Sequence, residues 1–164
     1  MKVVKSLLQI PHMNLGASLG NFDGVHAGHR FMLKQLHLQS RNKQLETLLI
    51  TFIPHPRYIL KGEEDFYLIN TYEQRRKLLE ECDVDYLWEL PFNRQISLLS
   101  PEDFFHQFIS PKHLAGPKIR LLSLGYDFSL GHNKQGDISC ISLISRNNKN
   151  LSLGPSIKSC ICEC

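Results

Sequence analysis

The apolar positions of this chain fall into blocks that alternate between two rhythms. Leu15 to Phe22 is an almost unbroken apolar and small-residue run, and it predicts a first strand whose glycines allow close backbone approach near its end. From Ala27 to Ser40, Phe31, Leu33, Leu36 and Leu38 recur among polar residues as a rough helical stripe. LETLLITF (Leu45–Phe52) is compact, apolar and stopped by Pro54 and Pro56, the pattern of a strand buried on both faces. Together these blocks make a strand–helix–strand unit.

The alternation then repeats. Thr71 followed three residues later by Gln74 is a capping box, and it predicts a helix running to about Cys82. VDYLWELPF reads as a strand ending at Pro91. Ser100 as N-cap, Pro101 at the first helical position and Glu102 and Asp103 in the first turn mark another helix start. KIRLLSL (Lys118–Leu124) is a further strand, closing on Gly125. Strands alternating with helices argue for an open, mostly parallel α/β sheet with flanking helices. Such sheets bind ligands at the carboxyl ends of their strands, near a topological switch point. The stretches 20–29, 53–57 and 125–137 each follow a strand. After Ile144 the periodicity is lost, so residues 1–144 are expected to form one domain and 145–164 an atypical tail, a candidate for disorder.

Composition narrows the function classes. The chain has 164 residues, 42% hydrophobic and 21% charged, which suits one globular domain with a sizeable core. A net charge of +3, with no Lys/Arg stripe interleaved with aromatics, argues against a nucleic-acid partner. The opening apolar stretch is short and cut by Pro11, so it does not read as a secretory signal. No run approaches the roughly 18 apolar residues that span a bilayer, and no membrane partner is expected. Five cysteines, three of them in the last five residues, do not form a disulfide framework. A reduced cytoplasmic setting is expected.

The chemistry concentrates in GNFDGVHAGH (Gly20–His29). Gly20 and Gly24 let the backbone turn, and Gly28 keeps the helix start open to a ligand. The unpaired N–H groups of a helix's first turn, with its dipole, bind phosphate. His26 and His29, three apart, face the same way and can donate to phosphate oxygens. The set reads as a cradle for a polyphosphate. Half a metal site is the other reading of His-x-x-His, although no cysteine or second close histidine pair completes it. The stretch is neither GxGxxG nor a P-loop.

HAGH resembles the His-x-Gly-His motif of the nucleotidyltransferase superfamily. SLGNFDGVHAGHR is similar to the narrower signature of bacterial FAD synthetases, the adenylyltransferase module of bifunctional riboflavin kinase/FMN adenylyltransferases. TFIPHPR (Thr51–Arg57), LPFNRQISLLSPEDFF (Leu90–Phe105) and GYDFSLGHNKQGD (Gly125–Asp137) resemble that family's other conserved stretches, in order. The resemblance implies a Rossmann-like α/β fold of nucleotidyltransferase type. It also implies a reaction in which FMN and ATP, with Mg²⁺ on the triphosphate, give FAD and pyrophosphate. By position, His26 and His29 are the implied catalytic pair on the ATP phosphates. Gly20, Asn21, Phe22, Asp23 and Gly28 would line the ATP side. Pro54, His55, Pro56 and Asp127 would frame the flavin side. No protein metal ligand is implied.

The sequence also departs from the family. Leu130 stands where Phe is usual, and His132 where Arg is common. The family's C-terminal Ser/Thr-rich motif ending in Arg has no counterpart; SLGPSIKS carries serines and Lys158 in a different order. The C-terminal riboflavin kinase module is absent, so the chain reads as truncated and weakened in turnover. The thiols of Cys160, Cys162 and Cys164 would make a three-thiolate clip lacking a nearby fourth ligand. Two alternatives stay open: a flavin- or nucleotide-binding remnant without turnover, and a related His-x-Gly-His adenylyltransferase acting on another phosphorylated acceptor.

Overall fold

A computed structural model describes residues 1–11, 13–61, 67–111, 116–125, 128–129, 136–146 and 151–154. In chain order its elements are β1 (Lys2–Val4), β2 (Asn14–Leu19), α1 (Ala27–Asn42), β3 (Glu46–Ile53), α2 (Pro56–Lys61), α3 (Tyr72–Glu80) and β4 (Tyr86–Pro91). There follow α4 (Arg94–Ser97), α5 (Pro101–Phe104) continued by a π-helical turn (Phe105–Ile109), β5 (Lys118–Ser123), α6 (Ile138–Arg146) and β6 (Ser152–Leu153). The strands form one sheet of order β1-β4-β3-β2-β5-β6, and every pairing among the described residues is parallel. The expected parallel α/β architecture is therefore present, with its switch point between β2 and β5.

Both faces of the sheet are covered, which is why its strands read as continuous apolar runs. On one face Leu15, Ala17, Leu48, Ile50, Trp88 and Leu122 pack with Phe104, Phe105 and Ile109 of the α5 region and Ile141 of α6. On the other, Leu49, Leu87 and Leu121 pack with Met32, Leu33 and Leu36 of α1 and Leu79 of α3. On this second face Glu89 of β4 is a buried charge. Its carboxylate takes a two-pronged bond from Arg76 of α3, Nε to Oε1 at 2.6 Å and Nη2 to Oε2 at 2.7 Å, and a further bond from Lys5. Burial pushes this carboxyl up, but the bonds from Arg76 and Lys5 outweigh it and hold it below the usual glutamate value.

Several elements differ from the sequence reading. β1 is too short to show a rhythm; it is fixed by pairing Lys2–Val4 against Tyr86–Trp88, with Val4 in the core. β2 stops at Leu19, because Phe22 adopts a left-handed conformation (φ 51°, ψ 32°) that no strand continues through. Pro54 follows the last residue of β3, whereas Pro56 begins a short helix, since a proline at the first helical position loses no hydrogen bond. Beyond Ile144, α6 runs on to Arg146, and β6 adds to the sheet by pairing with β5.

At Gly16 of β2 the sheet backbone comes close to Ser40 of α1. A Cβ there would stand 2.1 Å from Ser40 Oγ and 3.2 Å from Ser40 Cβ. Ser40 Oγ is buried and has no hydrogen-bond partner among the described residues, so the hydroxyl is spare. Gly16→Ala is expected to destabilise the fold by about 1–3 kcal/mol, the scale of overpacking. The cost should shrink in a Ser40→Ala background. Chemical denaturation of the four proteins checks this, and an equal cost in both backgrounds would refute the contact.

Candidate active site

The turn after β2 is built from backbone strain and a few polar anchors. Phe22 and Val25 both have positive φ (51° and 38°), and Gly24 (φ 77°) supplies the position where a side chain is least tolerated. Phe22 is 1% exposed and lies edge-on beneath the His29 ring, with centroids 5.3 Å apart. His26 is the N-cap of α1: its Nδ1 accepts the His29 N–H at 3.4 Å. With Nδ1 accepting, a neutral His26 carries its proton on Nε2 and can donate outward. The two imidazoles stack, with centroids 3.7 Å apart and planes 21° from parallel. This pair stands at the amino end of a helix, where first-turn N–H groups and the dipole favour an anion.

Neighbouring elements hold the turn. The Gly20 N–H donates to the Ile50 carbonyl at 3.1 Å, continuing the β2–β3 ladder. The Asn21 carbonyl accepts from Thr51 Oγ1 at 3.3 Å and from Arg75 Nη1 of α3 at 2.8 Å. Asp23 accepts the N–H groups of Ile69 (3.0 Å to Oδ1) and Asn70 (3.4 Å), which fixes the approach to α3. Arg75 is 1% exposed, and its guanidinium lies 4.9 Å above the Tyr72 ring. Burial pushes this guanidinium down from the usual arginine range, while Tyr72, Glu89 and Asp23 push it back.

The second segment follows β3. His55 between its prolines is buried, its backbone N–H donates to the Tyr72 hydroxyl at 2.9 Å, and its Nδ1 accepts the Arg57 N–H at 3.2 Å. Burial pushes the His55 imidazole down; Asp23 opposes this, Arg75 and Arg57 add to it, and the net shift is below the ordinary 6.5. Beside it, Phe92 and Phe104 pack edge-on against Phe52, and Asn93 Oδ1 caps α4 by accepting the Ile96 N–H at 2.9 Å. Among the described residues, no group of three or more His, Cys, Asp and Glu side chains lies where it could hold a metal.

The sequence profile of the family described as FAD synthetase matches residues 10–154. This chain belongs to the FAD synthetase family. It is 30% identical over 140 residues to the bifunctional riboflavin kinase/FMN adenylyltransferase of Escherichia coli K12, covering 84% of this chain and 44% of that protein. It is 31% identical over 120 residues to the protein of that name from Bacillus subtilis, covering 73% and 36% respectively. The chain thus spans less than half the length of the curated relatives it matches. In fold it is similar to a solved Streptococcus pneumoniae structure described as a macrolide-efflux protein (TM-score 0.73, 22% identity), covering 93% of this chain and 49% of that one. No helix among the described residues is long and apolar enough to cross a membrane.

For an FAD synthetase family member, the residues singled out in sequence sit as follows. Gly20, Asn21, Phe22, Asp23 and His26 lie on the β2–α1 turn and Gly28 and His29 in the first turn of α1, with Phe22 under the His29 ring and Asp23 engaged by backbone N–H groups. Pro54, His55 and Pro56 lie on the neighbouring β3–α2 turn, bonded to α3 through Tyr72. Asp127 and the three tail cysteines lie outside the described residues. Sequence reasoning missed Tyr72 and Arg75. The available signal was Arg75 occupying the same helical stripe as Leu79, a place where an apolar residue is expected.

The depressed His55 value makes a pH prediction. Above about pH 6.5 both folded and unfolded His55 are neutral; as pH falls, the unfolded chain binds a proton that the folded one resists until its lower value is reached. This part of the stability is present above pH 6.5 and lost as pH falls through the folded value. Denaturation midpoints measured at about pH 7.5 and about pH 5.5 should fall less on acidification for His55→Gln than for the parent. Equal falls would show that His55 titrates normally.

Proposed function

We propose that this chain transfers the adenylyl group of ATP to FMN, giving FAD and pyrophosphate, as a cytoplasmic enzyme of flavin cofactor synthesis. The observation that carries the reading is the placement of two turns side by side, at the carboxyl ends of adjacent strands β2 and β3. One presents stacked histidines at a helix start and the other a proline-walled histidine. Family membership supports the same reading.

In this reading an FMN phosphate oxygen attacks the α-phosphorus of ATP. A new P–O bond forms as the bond to the β-phosphate bridging oxygen breaks, and pyrophosphate leaves with that oxygen. The nucleophile is already an anion, so no strong base is needed. Rate comes from alignment and from stabilising negative charge on the transferring group. His26 through Nε2, His29, and the first-turn N–H groups of α1 serve the phosphates. Gly20, Asn21, Phe22 and Asp23 shape the ATP side; Pro54, His55, Pro56 and Asp127 belong to the flavin side. Magnesium enters with the triphosphate as part of the substrate.

Incubating the chain with FMN, ATP and Mg²⁺ should yield FAD by chromatography. His29→Ala is expected to slow its formation by about 10²–10³-fold, the scale for losing one donor to developing charge. Its circular dichroism should match the parent, because a half-exposed residue at a helix start contributes little core. Parental rates in His29→Ala would remove the histidine from the machinery. Adenylylation of nicotinamide mononucleotide or phosphopantetheine in preference to FMN would move the chain to a sister activity.

A further inference from the structure

Helix α3 touches both turns, and it does so through two side chains one helical turn apart. Arg75 Nη1 donates to the Asn21 carbonyl on the histidine turn at 2.8 Å. The Tyr72 hydroxyl accepts the His55 N–H on the proline turn at 2.9 Å. Between them the guanidinium rests on the Tyr72 ring at 4.9 Å. The two turns are thus joined by one continuous path: Asn21, Arg75, Tyr72, His55. Packing alone does not explain it. Arg75 is 1% exposed on the stripe that carries Leu79, where an aliphatic side chain would fill the space without burying a charge. Moreover, Arg75 Nε and Nη2 have no hydrogen-bond partner among the described residues, so the guanidinium's directed contacts are the bond to Asn21 and the stack on the Tyr72 ring.

We propose that Tyr72 and Arg75 are positioning residues that fix the histidine turn and the proline turn relative to each other, so that two bound substrates meet in line. This rests on the function proposed above. Neither side chain needs to touch a reacting atom. Their effect is on alignment, which a displacement on the order of 1 Å can degrade about 10²-fold.

Three variants separate this role from a merely structural one: Tyr72→Phe, which keeps the ring and removes the hydroxyl; Arg75→Met, which removes the donor and charge; and Arg75→Lys, which restores a donor. In steady-state FAD synthesis, Tyr72→Phe and Arg75→Met should lower kcat by about 10–100-fold with both KM values within about threefold of the parent. Arg75→Lys should recover most of the loss. The double variant should be no slower than the worse single one, because either change opens the same path. A structural role would instead lower the folded fraction and leave kcat per folded molecule unchanged.

A second measurement needs no turnover. In the ligand-free chain Arg75→Met should speed hydrogen exchange of the His55 amide, whose hydrogen bond runs to the Tyr72 hydroxyl and not to Arg75, by about tenfold, the equivalent of one modest hydrogen bond. If that variant does not fold, Tyr72→Phe should speed exchange of the Val25 amide at the far turn. Unchanged exchange at the remote amide overturns the proposal. Coupled exchange in a parent chain that makes no FAD would overturn the proposed reaction and leave the coupling standing.

Discussion

A parallel strand cannot turn back tightly onto its neighbour; the chain must cross a face of the sheet and re-enter from the same end. All the pairings described in this molecule obey that constraint, so every strand's carboxyl end lies along one edge. From β2 the chain builds outward through β3 to β4, then returns to place β5 on the other flank of β2. The connections leaving β2 and β5 run to opposite faces of the sheet, α1 on one and α6 on the other, the kind of switch point at which ligands bind in open α/β sheets. The histidine turn lies at that switch point because β2 delivers it there. Strand polarity sets its location.

The parts of this arrangement legible in the sequence are those whose physics demands particular residue types at fixed spacing. A turn with positive φ running straight into a helix start needs a glycine and an N-cap within Gly20–His29, and that need is visible as a motif. Buried parallel strands announce themselves as apolar runs, so β3, β4 and β5 were found close to their observed bounds. What escaped is whatever depends on a distant partner. Among the described residues β1 exists as a strand only through β4, and β6 only through β5. Tyr72 and Arg75 sit inside a run of charged and polar residues that reads as a solvated helix face. Only the packing of α3 against the histidine turn shows that one of these cations is among the most buried side chains of the molecule.

Consecutive residues of α3 serve different ends. Arg75 reaches into the site while Arg76 reaches to Glu89 of β4. Of the helix's own residues only Arg75 and Leu79 are fully buried, so α3 is seated as much by directed polar bonds as by apolar contact. Apolar surfaces tolerate sliding, because the hydrophobic effect is non-directional. A forked guanidinium–carboxylate bond tolerates little, since it fixes angle as well as distance. The helix that spans the two turns is thus held in angle as well as in distance.

The same topology orders events in time. β1 is separated from its partner β4 in the chain by β2, α1, β3 and α3, so its residues have no strand to pair with until β4 has formed. The unit β2–α1–β3, by contrast, is sequence-local and can close early, with only loop closure over one helix to overcome. The histidine turn lies within that unit and the proline turn adjoins it. The β2–α1–β3 unit can therefore close before β1 is secured, and until β1 docks the β4 edge stands open to pairing with other chains.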